Sequence, residues 1–226
     1  MSAERDEIDK RHERSKALWE WLRLIRETAP KETQIHLIRA RFDKAKHADE
    51  RSTLKTHLTV LLLQTDRFDE ALQVDDDWIA ENPNDVFAHT DKSRTYLWVN
   101  DLDNALACVE LAVACARRTG KWLRSTLARK ARILVDMRDG KALAEVLEEI
   151  MAVKVDRDTI DMARERDFVD AAPPGLIPRE LLLRYDAFCP RRKGDSPDEI
   201  PPFDQPAFGP DGAEIPITRP RWPFDR

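Results

Sequence analysis

Displacing the sequence by 34 residues superposes Phe68-Asp69-Glu70-Ala71-Leu72 on Leu102-Asp103-Asn104-Ala105-Leu106, and Leu62-Leu63 on Tyr96-Leu97. A further displacement of 37 brings Gly140-Lys141-Ala142-Leu143 into the same place. A period in this range signals supersecondary units that cannot bury their apolar faces alone and stack on their neighbours. Three such units are counted.

The units are expected to be helix pairs. Only six glycines occur in 226 residues, and nine of the fourteen prolines follow Cys189, so the first three quarters of the chain favours helix. Leu18, Trp21, Leu22 and Ile25 form an apolar stripe between Ser15 and Thr28, and Ile35, Ile38, Phe42 and Ala45 form a second after Pro30. Leu54, Leu58, Leu61 and Leu62 line a third helix; Ala71, Val74, Trp78 and Ile79 line a fourth. The turn Asn82-Pro83-Asn84-Asp85 stops it and offers Asn84 or Asp85 as a cap. Stripes through Val86, His89, Ser93, Tyr96 and Leu97, and through Leu102, Ala105, Val109, Ala112 and Ala116, give two more helices. Gly120 is a natural cap to the second of these. Trp122, Leu127, Ile133 and Leu134, then Ala142, Val146, Leu147 and Ile150, complete the array across the Asp139-Gly140 turn. Links this short make neighbouring helices antiparallel.

Leu62 and Ala71 lie nine apart, as do Tyr96 and Ala105, and Ile133 and Ala142, while Pro83 follows Ala71 by twelve. In this spacing the sequence resembles the tetratricopeptide repeat (TPR) family, in which a bulky residue late in one helix packs where a small Ala lets the next approach closely. The family's early Trp and Gly positions hold Lys55 and Thr59 in the first unit and His89 and Ser93 in the second, and Arg117 replaces the closing Pro in the second. The resemblance implies an all-α fold: antiparallel helix-hairpin repeats forming a TPR-like α-solenoid, with helical caps and a Pro-rich C-terminal tail. Residues 1–50 are expected to form a hairpin cap and 51–155 the repeats. Residues 156–189 are read as capping helices containing Ile160, Ala163, Phe168, Leu181, Leu182, Tyr185 and Phe188, and 190–226 as an extended tail.

Catalytic signatures are lacking: there is no glycine-rich phosphate loop, Gly-x-Ser-x-Gly, His-Glu-x-x-His or Cys-x-x-Cys. The expected protein is no enzyme and holds no cofactor or metal. His12, His36, His47, His57 and His89 are scattered singly, which favours surface or edge packing, and Cys108, Cys115 and Cys189 read as small core residues suited to a reducing cytoplasm. Asp75, Asp76 and Asp77 point about 100° apart on a helix and read as a solvated face. Asp43, Asp66, Asp69 and Asp103 read as residues that satisfy free amides at helix starts. The charged N-terminus, Met1 to Lys16, is no secretory signal, and no segment is long and apolar enough to span a bilayer. A soluble, cytoplasmic protein is expected.

What remains is binding of another polypeptide. In the TPR family the first helix of each unit lines a concave face, and the shared spacing places Thr56, Val60, Leu63, Phe87, Thr90, Arg94, Leu97, Trp98, Arg124, Leu127 and Ala131 there. Trp98 beside Arg94 reads either as a peptide anchor or as a residue that packs against the following unit. Thr56 and Val60 stand where the carboxylate clamp of some family members would begin, so that clamp is not expected. Between Leu111 and Val135 there are seven cations and no acid, including Lys121, Arg124, Arg129, Lys130 and Arg132. This basic ridge could meet an acidic partner or nucleic acid, or be neutralised by an adjacent acidic helix. A net charge of -5 argues against a dedicated nucleic-acid binder. In the tail, Phe203, Phe208, Trp222 and Phe224 are expected to bury against the helical body, in the same chain or in a neighbouring copy, which would be a route to self-association.

Overall fold

The computed structural model describes residues 2–153 and 168–189, the backbone alone for 2–9, and two short backbone segments, Ala207–Phe208 and Glu214–Ile215. Ile160, Ala163 and the side chains of Phe203, Phe208, Trp222 and Phe224 lie outside the described residues. The chain packs as two compact units, Met1–Glu81 and Asn82–Arg226, divided at the Asn82-Pro83 turn.

The first unit contains α1 (Ser2–Thr28), α2 (Lys31–Phe42), α3 (Ala48–Leu63) and α4 (Phe68–Glu81). Helix α1 begins thirteen residues before Ser15, because a stretch dominated by Glu, Arg, Lys and Asp needs no core to stay helical once a packed segment has nucleated it. Leu18, Leu22 and Ile25 are buried on α1, Ile35 and Ile38 on α2, and Leu54, Leu62 and Ala71 on the α3–α4 hairpin. Two polar residues replace the signature Trp and Gly. Lys55, 4% exposed, lies over the rings of Phe42 and Trp78 and reaches Glu81 at 2.7 Å. Thr59 donates to Asp75 at 3.2 Å. Asp75 is therefore in the core, at 0% exposure, and only Asp76 and Asp77 of the triplet meet solvent.

The second unit contains α5 (Val86–Trp98), α6 (Leu102–Thr119), α7 (Leu123–Asp136), α8 (Gly140–Ala152) and α9 (Arg179–Phe188). Leu97, Ala105, Val109 and Ile133 pack together with Tyr96, as the bulky-and-small spacing requires. Ser93, at the signature Gly position, donates to the Ala105 carbonyl at 2.7 Å, and His89 Nε2 lies 2.9 Å from the Pro83 carbonyl. A larger cluster joins Leu127, Leu134, Leu143, Leu147 and Ile150 to Phe168, Leu181 and Tyr185, so α9 packs on the core of α7 and α8. A two-residue antiparallel ladder pairs Ala207 with Ile215 and Phe208 with Glu214.

The α3–α4, α5–α6 and α7–α8 hairpins turn in the same way. Asp66, Asn100 and Arg138 adopt φ of 60°, 60° and 58°. The amide that follows each returns to a carbonyl five residues back: Arg67 to Leu62 at 2.8 Å, Asp101 to Tyr96 at 3.0 Å and Asp139 to Leu134 at 3.0 Å. The N-terminal caps are Asp85, accepting from the Phe87 amide at 2.9 Å, Asp101 from Asn104 at 3.2 Å, and Asp139 from Ala142 at 3.0 Å. Asp85 caps as expected, but the other four candidates do not: Asp43 ends α2, Asp66 is the left-handed turn residue, and Asp69 and Asp103 lie inside first turns, where they face the helix dipole. At Asn100 and Arg138 the left-handed residue places the cap on the aspartate that follows it, Asp101 and Asp139.

Candidate functional site

On α5, Phe87, Asp91, Arg94 and Trp98 follow one another at intervals of four, three and four, which places them on one face. Asp85 starts this helix after the proline turn and so sets the phase of the stripe. Arg94 Nη2 lies 3.0 Å from Asp91 Oδ1, with the two side chains 4% and 8% exposed. The Arg94 Nε has no acceptor among the described residues. Arg129, from α7, faces the same pair. Burial holds its pKa down at about 10, the charge of Arg94 adds to that, and Asp91 opposes it. Both guanidiniums thus feel the Asp91 carboxylate, Arg94 through a direct ion pair.

The stripe begins in aromatics. Phe87 is 43% exposed and meets Trp122 edge to face at 5.2 Å. Trp122 precedes α7 with φ of 64°, a conformation that bulky residues rarely adopt. Its carbonyl is held by the Thr126 amide at 3.0 Å, Thr126 Oγ1 at 2.7 Å and Ser125 Oγ at 3.0 Å. At the start of α7, the Arg124 guanidinium covers the Phe188 ring at 4.7 Å, tying α7 to the end of α9.

The structure sorts the residues expected on the face. Phe87, Arg94 and Trp98 share the α5 stripe, whereas Thr90 is 5% exposed and bonds the Val86 carbonyl. Leu127 is 1% exposed in the core, and Leu63, Leu97 and Ala131 are buried as well. Thr56 and Val60 are half-buried on α3 of the first unit. Asp91 and the strained Trp122 were not among the expected site residues. The Asp91-x-x-Arg94 interval was a legible signal for the first, but no pattern announces a left-handed Trp.

The basic ridge disperses. Lys121 is exposed and precedes α7, so helical spacing does not relate it to Arg124, which is buried at 3% exposure. Lys130 pairs with Glu110 at 2.9 Å, Arg132 with Asp136 at 3.5 Å, and Arg117 with Glu149 at 2.6 Å. Arg129 is half-buried toward Asp91 and Arg94. All three cysteines are buried. Among the described residues, no group of three His, Cys, Asp or Glu could hold a metal, and no helix is long and apolar enough to cross a membrane.

No protein-family model matches the sequence, and no curated protein matches it. Two solved structures of a Podosopora anserina putative kinesin light chain with nearly identical TPR-like repeats are similar at 16% identity, over 77% of this chain and 94% of that one. Their TM-scores are 0.50 and, for a point variant of the same protein, 0.49. At that identity the likeness bears on architecture alone, and it agrees with the hairpins, turns and bulky-and-small contacts above: the chain has the all-α fold of TPR-like helix-hairpin repeats.

Proposed function

We propose that this chain is a protein-interaction module, an adaptor, scaffold or chaperone-like binder, and that it holds an extended polypeptide segment along the α5–α7 face of its second unit. TPR-like folds commonly mediate contacts between proteins, which sets the class. The observation that carries the assignment is the Phe87–Asp91–Arg94–Trp98 stripe with Arg129 facing it, because rigid aromatics beside buried arginine are what dominates binding energy at protein interfaces. A role of this kind needs neither cofactor nor metal. Buried thiols suit the reducing cytoplasm as its place of action. The ion pairs of Lys130, Arg132 and Arg117 neutralise part of the basic ridge, which favours a polypeptide partner over nucleic acid.

The reading is tested by selecting random displayed peptides of about twelve residues on the full chain and measuring the selected peptides against Phe87→Ala and Trp98→Ala. Each variant is expected to weaken binding by about tenfold or more. A library that yields no binder, or binders indifferent to both variants, would contradict it.

A further inference from the structure

Between Gly194 and Thr218 the chain carries six carboxylates, Asp195, Asp198, Glu199, Asp204, Asp211 and Glu214, and no Lys or Arg. The same stretch holds six prolines and two phenylalanines, Phe203 and Phe208. An acidic, proline-rich segment of this kind is complementary in charge to the Arg94–Arg129 pair, and proline lowers the entropy lost when it is fixed.

Its point of departure is equally telling. Helix α9 ends at Phe188, whose ring lies against Arg124 in the first turn of α7. Arg129 is five residues, about 7.5 Å, further along that helix. The nine residues that follow Cys189, up to Asp198, can span up to about 30 Å when extended, more than the roughly 21 Å length of α7. The first carboxylates are therefore within reach of both guanidiniums. Arg94 is 4% exposed with an Nε that lacks an acceptor among the described residues, and a carboxylate is the partner that a forked guanidinium binds best.

We propose that segment 194–218 docks in the same chain on the α5–α7 face, with its carboxylates against Arg94 and Arg129. The face is thereby held by an internal acidic ligand that an external acidic, proline-rich polypeptide must displace. This inference rests on the reading of that face as a polypeptide-binding surface and names the chemistry it accepts. Tethering gives the internal segment an effective concentration on the order of millimolar, so a competitor must exceed that before it gains the site.

The probe is a fluorescein-labelled synthetic peptide of residues 194–218, titrated onto the wild-type chain and onto a full-length chain carrying Asp195→Asn, Asp198→Asn, Glu199→Gln and Asp204→Asn. The peptide should bind the neutralised-tail chain about tenfold or more tighter than wild type. Adding Arg129→Gln or Arg94→Lys to the neutralised-tail chain should abolish the gain, while Lys130→Gln, which removes a surface cation, should leave it. Circular dichroism confirms that each variant is helical. Equal affinity for the wild-type and neutralised-tail chains, or indifference to both arginine variants, overturns the proposal. A dimer in sedimentation that the peptide dissociates would put the segment on a neighbouring copy and overturn the same-chain form. If the peptide fails while library-selected peptides still require Phe87 and Trp98, the docking is wrong and the polypeptide-binding reading stands.

Discussion

Thr59 Oγ1 donates a 3.2 Å hydrogen bond to Asp75 Oδ1 across the α3–α4 hairpin, and neither residue is exposed at all. A carboxylate at this depth is tolerated because it is hydrogen-bonded, and removing a donor costs more than the bond is worth. Thr59→Ala should lower the unfolding free energy by about 1–3 kcal/mol in urea denaturation. Combining Thr59→Val with Asp75→Leu should recover most of that loss, since an apolar pair of similar shape needs no partner. A double variant as unstable as the single one would contradict this account of the pair.

Arg138 holds the left-handed position that Asp66 and Asn100 hold in the other two turns. Asp and Asn tolerate that conformation, whereas an arginine is disfavoured there by about 1 kcal/mol or more. Arg138→Gly should therefore stabilise the chain by roughly 0.5–1 kcal/mol, read as a raised melting temperature, despite glycine's greater freedom in the unfolded chain.

Gly140 is required for a different reason. A Cβ built there would stand 2.6 Å from the Leu176 carbonyl oxygen, and backbone cannot swing aside as a flexible side chain can. Gly140→Ala should destabilise the second unit by about 1–3 kcal/mol, although alanine is the better helix former. Equal or higher stability would show that the loop before α9 yields freely.

Glu70 accepts hydrogen bonds from Arg67 and Arg39, which hold its carboxyl down at about 2. Its folded value is thus below its unfolded value of 4.5, so its contribution is fully present above pH 4.5 and is lost as the pH falls through about 2. The gap in melting temperature between wild type and Glu70→Gln should stay constant above pH 4.5 and close as the pH falls toward 2. A gap independent of pH would contradict the linkage.

The helices and their pairing were legible because apolar residues recur at helical intervals and because Pro83 and Gly120 punctuate them. The buried polar residues were not. Lys55 and Asp75 are held in the core by partners that include Glu81, twenty-six residues away, and Thr59, sixteen away, and periodicity read along one helix carries no information about such partners. The same limit applies at the site. Phe87, Arg94 and Trp98 could be placed on one stripe by spacing, but the convergence of Arg129 on Asp91 and Arg94 depends on how α7 lies against α5. Lys121 stands outside α7, whose start at Leu123 follows the left-handed Trp122, and no sequence pattern marks that boundary.

The central claim, that a polypeptide lies along the α5–α7 face, is tested most directly by hydrogen exchange on the full chain with and without a library-selected peptide. Slowed exchange of amides in Val86–Trp98 and Leu123–Asp136, with no change in α2 to α4, is the result expected. Protection confined to α2–α4, or a bound peptide that leaves α5 and α7 exchanging as before, would place the binding surface elsewhere and contradict the claim.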